Sequence, residues 1–143
     1  RQMCIRDSTE LASPPNGKIQ ENVSLDRCLG AIGDSAVVEA LGLGAMQISS
    51  APEQLKVFKS VLPVNYQARS DFLKMDNHYD FNKATPKIGI AIRSINNFES
   101  GPLVALGIID RAGDLGRIGG GIYDPPLKLF KSAIDALDQS HEH

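Results

Sequence analysis

An arginine and a run of glycines are the residues of this chain best suited to binding an anion. Arg117 is followed closely by Gly119-Gly120-Gly121. A guanidinium forms a forked pair with phosphate or carboxylate, and glycine lets backbone N–H groups approach the same ligand. The spacing matches neither the P-loop nor the dinucleotide fingerprint, and a bulge or tight bend is the commoner use of three glycines. The segment predicts a small-anion site without identifying the anion.

Asp110 is the carboxylate best placed to act on a bound ligand. It directly follows residues 103–109, a continuous apolar run that predicts a buried strand. Ligands of α/β proteins collect beyond the carboxyl ends of strands, so Asp110 is our candidate catalytic residue. The alternative is an aspartate that closes a turn.

Three predicted helix N-termini would add donors for an anion. Asp34, Ser50 and Asp124 each precede a helical pattern, and the first turn of a helix carries unpaired N–H groups and partial positive charge. Each exposed dipole contributes only about 0.3–1 kcal/mol, so several donors would have to converge.

Other chemistries have weaker support in the sequence. Asp76, His78 and Asp80 alternate as if on one side of a strand, but no second pair of metal ligands accompanies them. Ser35 lacks the glycines of a nucleophile elbow. Cys28 is expected to be a buried thiol rather than a reactive one. We therefore predict no metal and no cofactor.

Alternation and apolar runs predict the strands that would position these residues. Residues 88–93 alternate isoleucine with small residues and an arginine, as a strand does. Residues 103–109 predict a buried strand, and residues 111–121 a glycine-rich connection after it. Ile122-Tyr123 would then complete a third short strand.

Caps and apolar stripes predict three helices. Asp34 begins a pattern that Gly42 and Gly44 interrupt, each at a cost of about 1 kcal/mol in a helix interior, so the helix breaks there or a neighbour packs closely. Ser50 and Glu53 have the spacing of a capping box. The apolar stripe of that second helix is Leu55, Phe58 and Leu62.

The last predicted helix is amphipathic. Asp124 is its expected cap and Pro125 its expected first residue. Its apolar stripe is Leu127, Phe130, Ile134 and Leu137. Together these elements predict an α/β (or α+β) fold, with a few strands, flanking helices and a C-terminal amphipathic helix.

Length and composition are those of one globular domain. The chain has 143 residues, a net charge of −2 and 42% hydrophobic residues, which argues against a polybasic surface for nucleic acid or membrane. The apolar run 103–109 is too short to span a bilayer. With no secretory signal and only two cysteines, Cys4 and Cys28, we expect a cytoplasmic protein.

The first eight residues, RQMCIRDS, resemble the translation of a sequencing adapter, and we expect them to be a scar. Residues 9–32 then predict loop with a short strand, the remnant of a truncated N-terminal part. Residues 33–143 are expected to form a C-terminal α/β domain.

Two segments resemble the C-terminal part of the AllG/YlbE/YahG family. They are GDSAVVEALGLGAMQISSAP (33–52) and GIIDRAGDLGRIGGGIYDPPLKLFKSAIDAL (107–137). In that family a Gly-Asp-Ser segment, a glycine-rich stretch and Ala-Pro precede a second glycine-rich segment and a proline-led helix. The order and spacing of these motifs carry the resemblance, which covers roughly the last third of a family member.

The resemblance implies a subunit of oxamate carbamoyltransferase, which interconverts oxalurate plus phosphate with oxamate plus carbamoyl phosphate in allantoin catabolism. It also implies AllF/FdrA-like and AllH-like partner subunits. The chain departs from the family pattern at Ala105-Leu106, Asp110 and Arg117, which favours a different carbamoyl or acyl acceptor. The alternative is a non-catalytic structural subunit whose glycines serve close packing.

The resemblance and the residue chemistry together define the predicted site. Asp110 is the catalytic candidate. The substrate-binding candidates are Gly33, Asp34, Ser35, Gly42, Gly44, Arg117, Gly119, Gly120 and Gly121.

Overall fold

The computed structural model of the protein describes residues 11–33, 39, 41–75, 88–90, 95 and 100–140. Five strands and two α-helices lie in these ranges, with three short 3₁₀ helices between them. In chain order they are β1 (Asn16–Ile19), a 3₁₀ helix (Leu25–Arg27), a second (Ala45–Ser50), α1 (Pro52–Phe58), a third 3₁₀ helix (Ala68–Phe72), β2 (Leu73–Met75), β3 (Ile88–Ile90), β4 (Val104–Ile109), β5 (Arg117–Tyr123) and α2 (Leu127–Ser140).

The larger sheet has three antiparallel strands in the order β1-β5-β4, so β5 is central. A smaller sheet pairs β2 with β3, and Leu73 lies opposite Ile90. The predicted strand at 103–109 is confirmed as β4, and the predicted strand at 88–93 is confirmed over Ile88–Ile90. The mixed α/β fold with a C-terminal helix is also confirmed.

The glycine run lies inside β5, so the prediction of a glycine-rich connection over residues 111–121 is wrong. A Cβ atom at Gly119 would collide with the carbonyl oxygen of Lys18, and one at Gly121 would lie 2.7 Å from that of Asn16. Glycine therefore permits the close approach of β1. Strand periodicity was hidden because three successive residues have no side chain to alternate.

A β-bulge sets which face of the sheet carries Arg117. Gly119 lies opposite Ile108 and Arg117 lies opposite Ile109, so Ile118 is an extra residue in β5. Ile118 is fully buried beside Ile108. Arg117 lies on the opposite face, where its side chain runs over Gly107.

The apolar core has two parts. The smaller cluster joins Cys28, Ile108 and Ile118 on one face of the sheet. The larger cluster packs the 3₁₀ helix Ala45–Ser50 against both sheets, and it also contacts the apolar residues of α1 and α2. Its buried members are Ala45, Met46, Ile48, Leu73, Ile95, Leu103 and Ile122.

The start of α1 differs from the predicted capping box. Ala51 is the N-cap and no side chain caps the helix, because Ser50 ends the preceding 3₁₀ helix. Pro52 occupies the first turn, where its missing N–H is harmless. The predicted apolar stripe is confirmed for Leu55 and Phe58, which pack against the larger cluster. Leu62 also packs there but lies beyond the helix, which ends at Phe58.

The start of α2 also differs from the prediction. The helix begins at Leu127, two residues after Pro125. Asp124 lies before it and accepts hydrogen bonds from both terminal nitrogens of the buried Arg69, at 2.6 and 2.8 Å. The C-terminal stripe is confirmed for Leu127, Phe130 and Ile134. The side chain of Leu137 lies outside the described part.

Candidate functional site

A pocket at the outer edge of β4 brings together two of the predicted binding residues, Gly33 and Arg117. We call it the edge pocket. Its volume is about 470 Å³. It is lined by Ile32, Gly33, Phe58, Ala105, Leu106, Gly107, Ile109 and Arg117.

The guanidinium of Arg117 lies on a floor made of glycine. A Cβ at Gly107 would lie 3.2 Å from its Nε, and one at Gly120 would lie 3.4 Å from its Nη2. The Nε also donates a hydrogen bond to the Gly119 carbonyl oxygen at 3.0 Å, which anchors the side chain. Side chains in place of these two glycines would crowd the position that Arg117 now occupies.

Arg117 differs from two other arginines of the chain in its electrostatic partners. Arg27 pairs with Asp110 and Arg69 pairs with Asp124. Within the ranges that the structure covers, no carboxylate forms an ion pair with Arg117. Its two terminal nitrogens are therefore available to a bound anion, to which a guanidinium presents a planar fork.

Lys18 supplies a second cation on the same face of the sheet. It is exposed and lies opposite Gly120, which in turn lies opposite Gly107. Residues directly opposite one another share a face of the sheet. This face therefore carries two positive side chains around a glycine surface.

Asp110 is buried in the connection between β4 and β5 and does not line the edge pocket. Its carboxylate accepts from Nε and Nη2 of Arg27 at 2.8 and 2.5 Å, and from the N–H groups of Ala112 and Leu115. The hydrogen bonds from Arg27 hold the pKa of Asp110 well below its usual range. These bonds give Asp110 a structural role in the turn, and its catalytic role stays a prediction.

Glu39 is a buried acidic residue that the sequence did not point out. Both its oxygens accept from the N–H of Ala45 at 2.9 Å, and Oε1 also accepts from the N–H of Ala105 at 2.9 Å. Burial raises the pKa of Glu39, and the backbone hydrogen bonds partly oppose that rise. A glutamate within a helical pattern is normally solvent-exposed, so nothing in the sequence distinguished it.

Gly44 and Gly42 serve packing in this structure. A Cβ at Gly44 would collide with the carboxylate of Glu39, and one at Gly42 would collide with Leu73. Gly42 also has a φ of 78°, which favours glycine. The sequence predicts that the helix breaks at these glycines or that a neighbour packs closely against them. Both are observed, since residues 41–44 form no helix and their neighbours pack closely.

The nine predicted binding residues thus separate into distinct places. Gly33 and Arg117 share the edge pocket, and Gly120 lies beneath the guanidinium. Gly119 and Gly121 approach β1, where the N–H groups of a central strand are shared between two neighbours. Asp34 and Ser35 lie outside the described residues.

The remaining predictions concern the thiol, metals and membranes. Cys28 is buried and unpaired, as expected. Asp76, His78 and Asp80 lie outside the described residues, and the described ones contain no group of three potential metal ligands. No helix in the described ranges has the length and apolar character needed to cross a bilayer.

Comparison with known proteins gives two similarities. The chain is 27% identical over 143 aligned residues to the oxamate carbamoyltransferase subunit AllG of Escherichia coli K12, covering 92% of this chain and 33% of that protein. It superimposes with a TM-score of 0.70 and 21% identity on the crystal structure of a conserved protein of unknown function from Enterococcus faecalis V583, covering 90% of this chain and 32% of that one. The latter similarity shows the fold alone.

No protein-family model matches the sequence. The chain spans about a third of the length of both proteins that it resembles. It is thus a distant relative of AllG with a mixed α/β fold.

Proposed function

We propose that this chain is the C-terminal part of a subunit with a carbamoyltransferase-related role, and that its edge pocket binds a small anionic substrate. The observation that carries the proposal is the exposed guanidinium of Arg117, which lies over a glycine floor and pairs with no carboxylate among the described residues. The similarity to AllG supports the choice of reaction class. Carbamoyl phosphate and oxamate, the substrates implied by the resemblance, are both small anions.

The chemistry proposed for the edge pocket is orientation and charge stabilisation. In carbamoyl transfer the acceptor nitrogen attacks the carbamoyl carbon, and phosphate leaves with the electron pair of the broken C–O bond. The proton that the nitrogen loses ends on the released phosphate. A fixed guanidinium beside the phosphate stabilises the negative charge that develops on it. Among the residues that the structure describes, we assign the stabilisation of this charge to Arg117.

The proposed setting is a cytoplasmic complex. AllG is itself named as a subunit, and we propose that this protein likewise works with AllF/FdrA-like and AllH-like chains. The similarity covers 33% of AllG, so we assign acceptor binding to the assembled complex rather than to the edge pocket alone.

The test uses the full-length protein that contains this chain, co-expressed with its genomic neighbours. Consumption of carbamoyl phosphate is measured against a panel of acceptors that includes oxamate. Arg117→Ala should weaken substrate use by about 10- to 100-fold, the loss expected when one charge-assisted forked contact is removed. The matched control is Arg111→Ala, which removes an arginine from the same hairpin outside the edge pocket.

A structural-subunit role is the second candidate, because the close packing at Gly42, Gly44, Gly119 and Gly121 gives these glycines a task that requires no ligand. It predicts that Arg117→Ala leaves turnover intact, whereas Gly42→Leu prevents assembly. Turnover by an assembled complex that falls selectively with Arg117→Ala would eliminate this candidate.

A further inference from the structure

The outer edge of β4 has a regular pattern of hydrogen bonds. The N–H of Ala105 points outward and donates to Glu39 Oε1 at 2.9 Å. Four residues further along β4, the carbonyl oxygen of Ile109 points outward and accepts from the N–H of Leu29 at 2.9 Å. In an antiparallel strand the N–H and C=O of every second residue point to the same side.

The residue between them, Gly107, must therefore direct its N–H and C=O to the same outer edge. Its neighbours Leu106 and Ile108 direct theirs toward β5, in register with Gly121 and Gly119. No residue in the described ranges accepts a hydrogen bond from the N–H of Gly107. Ala105, Gly107 and Ile109 all line the edge pocket, but the N–H of Ala105 and the carbonyl oxygen of Ile109 are already hydrogen-bonded.

The Cα of Gly107, to which this N–H belongs, lies below Cδ and Nε of Arg117, while Nη2 of Arg117 lies over Gly120 in β5. A Cβ on Gly107 would be 3.2 Å from Nε and 3.3 Å from Cδ of Arg117, and the backbone nitrogen is bonded to the same Cα. Gly107 thus combines two properties: an N–H donor that the sheet leaves unused, and a missing side chain that lets a cation lie next to that donor.

We propose that the N–H of Gly107 and the guanidinium of Arg117 form a two-donor site for one oxyanion group, a carboxylate or phosphate, of the ligand. This inference rests on the proposed function, since it specifies how the edge pocket holds its anion. It replaces the glycine-run amides of β5 as the backbone contribution to binding. Gly107 is a binding residue in this proposal through its backbone alone.

The experiment compares Gly107→Pro with Gly107→Ala in the full-length protein. Both substitutions add a Cβ beside Arg117, but only proline removes the N–H. Proline is tolerated at a strand edge whose N–H faces outward. Binding of oxamate and of inorganic phosphate is measured separately by calorimetry, and circular dichroism and melting temperature report folding.

We expect Gly107→Pro to bind one of the two probes about tenfold more weakly than Gly107→Ala, the effect of losing a hydrogen bond to a charged group. The affected probe identifies whether a carboxylate or a phosphate occupies the site. Equal affinities of the two variants for both probes would overturn the proposal, as would a wild-type protein that binds neither.

Hydrogen exchange of the wild-type protein provides the second test, which is decisive if Gly107→Pro does not fold. Saturating oxamate or phosphate should slow exchange of the Gly107 amide, and unchanged exchange with both bound would overturn the assignment. A complex that binds oxamate through Gly107 but transfers no carbamoyl group would contradict the proposed function while leaving this inference intact.

Discussion

Two buried carboxylates respond to their surroundings in opposite directions. Asp110 accepts a forked pair from Arg27, and its pKa is held far below the usual range. Glu39 accepts only from backbone N–H groups, and burial raises its pKa. A full positive charge compensates a buried carboxylate better than amide dipoles do, which explains the difference. The two residues should therefore have opposite effects on the pH dependence of stability.

Glu39→Gln should flatten the fall of stability with rising pH. The folded-state pKa of Glu39 is above its ordinary value of 4.5, so above that pH the folded protein retains a proton that the unfolded chain has lost. The free energy of unfolding then decreases as pH rises through this window. Urea unfolding from pH 4 to 7 measures the slope. Equal slopes for the variant and the wild type would contradict the assignment.

Asp110→Asn should act at the acid end. The folded-state pKa of Asp110 is below its ordinary value of 3.8, so its contribution is fully present above that pH and is lost as pH falls below it. The variant should be less stable at neutral pH and lose less of its stability on acidification. Asp114→Asn is the control, because Asp114 also contacts Arg27 but is 74% exposed. Acid titration of both variants, followed by circular dichroism, should show a smaller acid-induced loss of stability for Asp110→Asn and a loss close to that of the wild type for Asp114→Asn.

At the scale of elements, glycine makes close approaches possible that larger residues would prevent. The turn before the 3₁₀ helix Ala45–Ser50 packs Gly42 against Leu73 of β2. The hairpin between β4 and β5 contains Gly113, with no atom near its Cβ position. Both residues have nearly the same positive φ, 78° and 82°. They offer a direct comparison of backbone strain with and without a steric conflict.

Gly42→Ala should destabilise the protein more than Gly113→Ala. Both substitutions incur the cost of a left-handed backbone, about 1–2 kcal/mol. Only Gly42→Ala also forces Leu73 to move, which adds about 1–3 kcal/mol of overpacking. Chemical denaturation measures both changes in the free energy of unfolding. Equal losses would show that Leu73 adjusts without cost.

The elements that the sequence predicted correctly are those whose side chains alternate or form a stripe. β4, the part of the α1 stripe within the helix and the described part of the α2 stripe are confirmed because burial follows local periodicity. β5 was missed because its glycines carry no such signal. Both helices start later than the sequence predicts, because Ser50 belongs to a 3₁₀ helix and Asp124 pairs with Arg69.

The site was predictable only in part, for a related reason. Arg117 and Gly33 could be identified from residue type and from the resemblance, and the structure brings them to one pocket. Gly107 and Glu39 could not, because their significance depends on strand pairing and burial between residues far apart in sequence. Whether a backbone N–H is open at a sheet edge is a property of the assembled fold.

For the whole molecule, an anion that binds the edge pocket should stabilise the folded state. At a ligand concentration of 100 times Kd the gain is about 2.7 kcal/mol. Thermal unfolding of the full-length protein with oxamate, and separately with phosphate, measures it. The gain should disappear in Arg117→Ala and persist in Arg111→Ala. A shift of equal size in both variants would place the bound anion elsewhere.

The proposed two-donor site consists of one side chain, Arg117, and one backbone N–H, that of Gly107. The surface beneath the guanidinium is glycine and has no side chains. Two of the other lining residues come from segments outside the sheet: Ile32, 59% exposed, precedes Gly33, and Phe58 ends α1. Substitutions at Ile32 would reshape the pocket away from the two proposed donors, whereas Phe58 also lies beside Gly120 and packs against the larger core cluster. Relatives that differ only at such a position would bind the same charged group of a ligand and differ in the neutral portion that they accept.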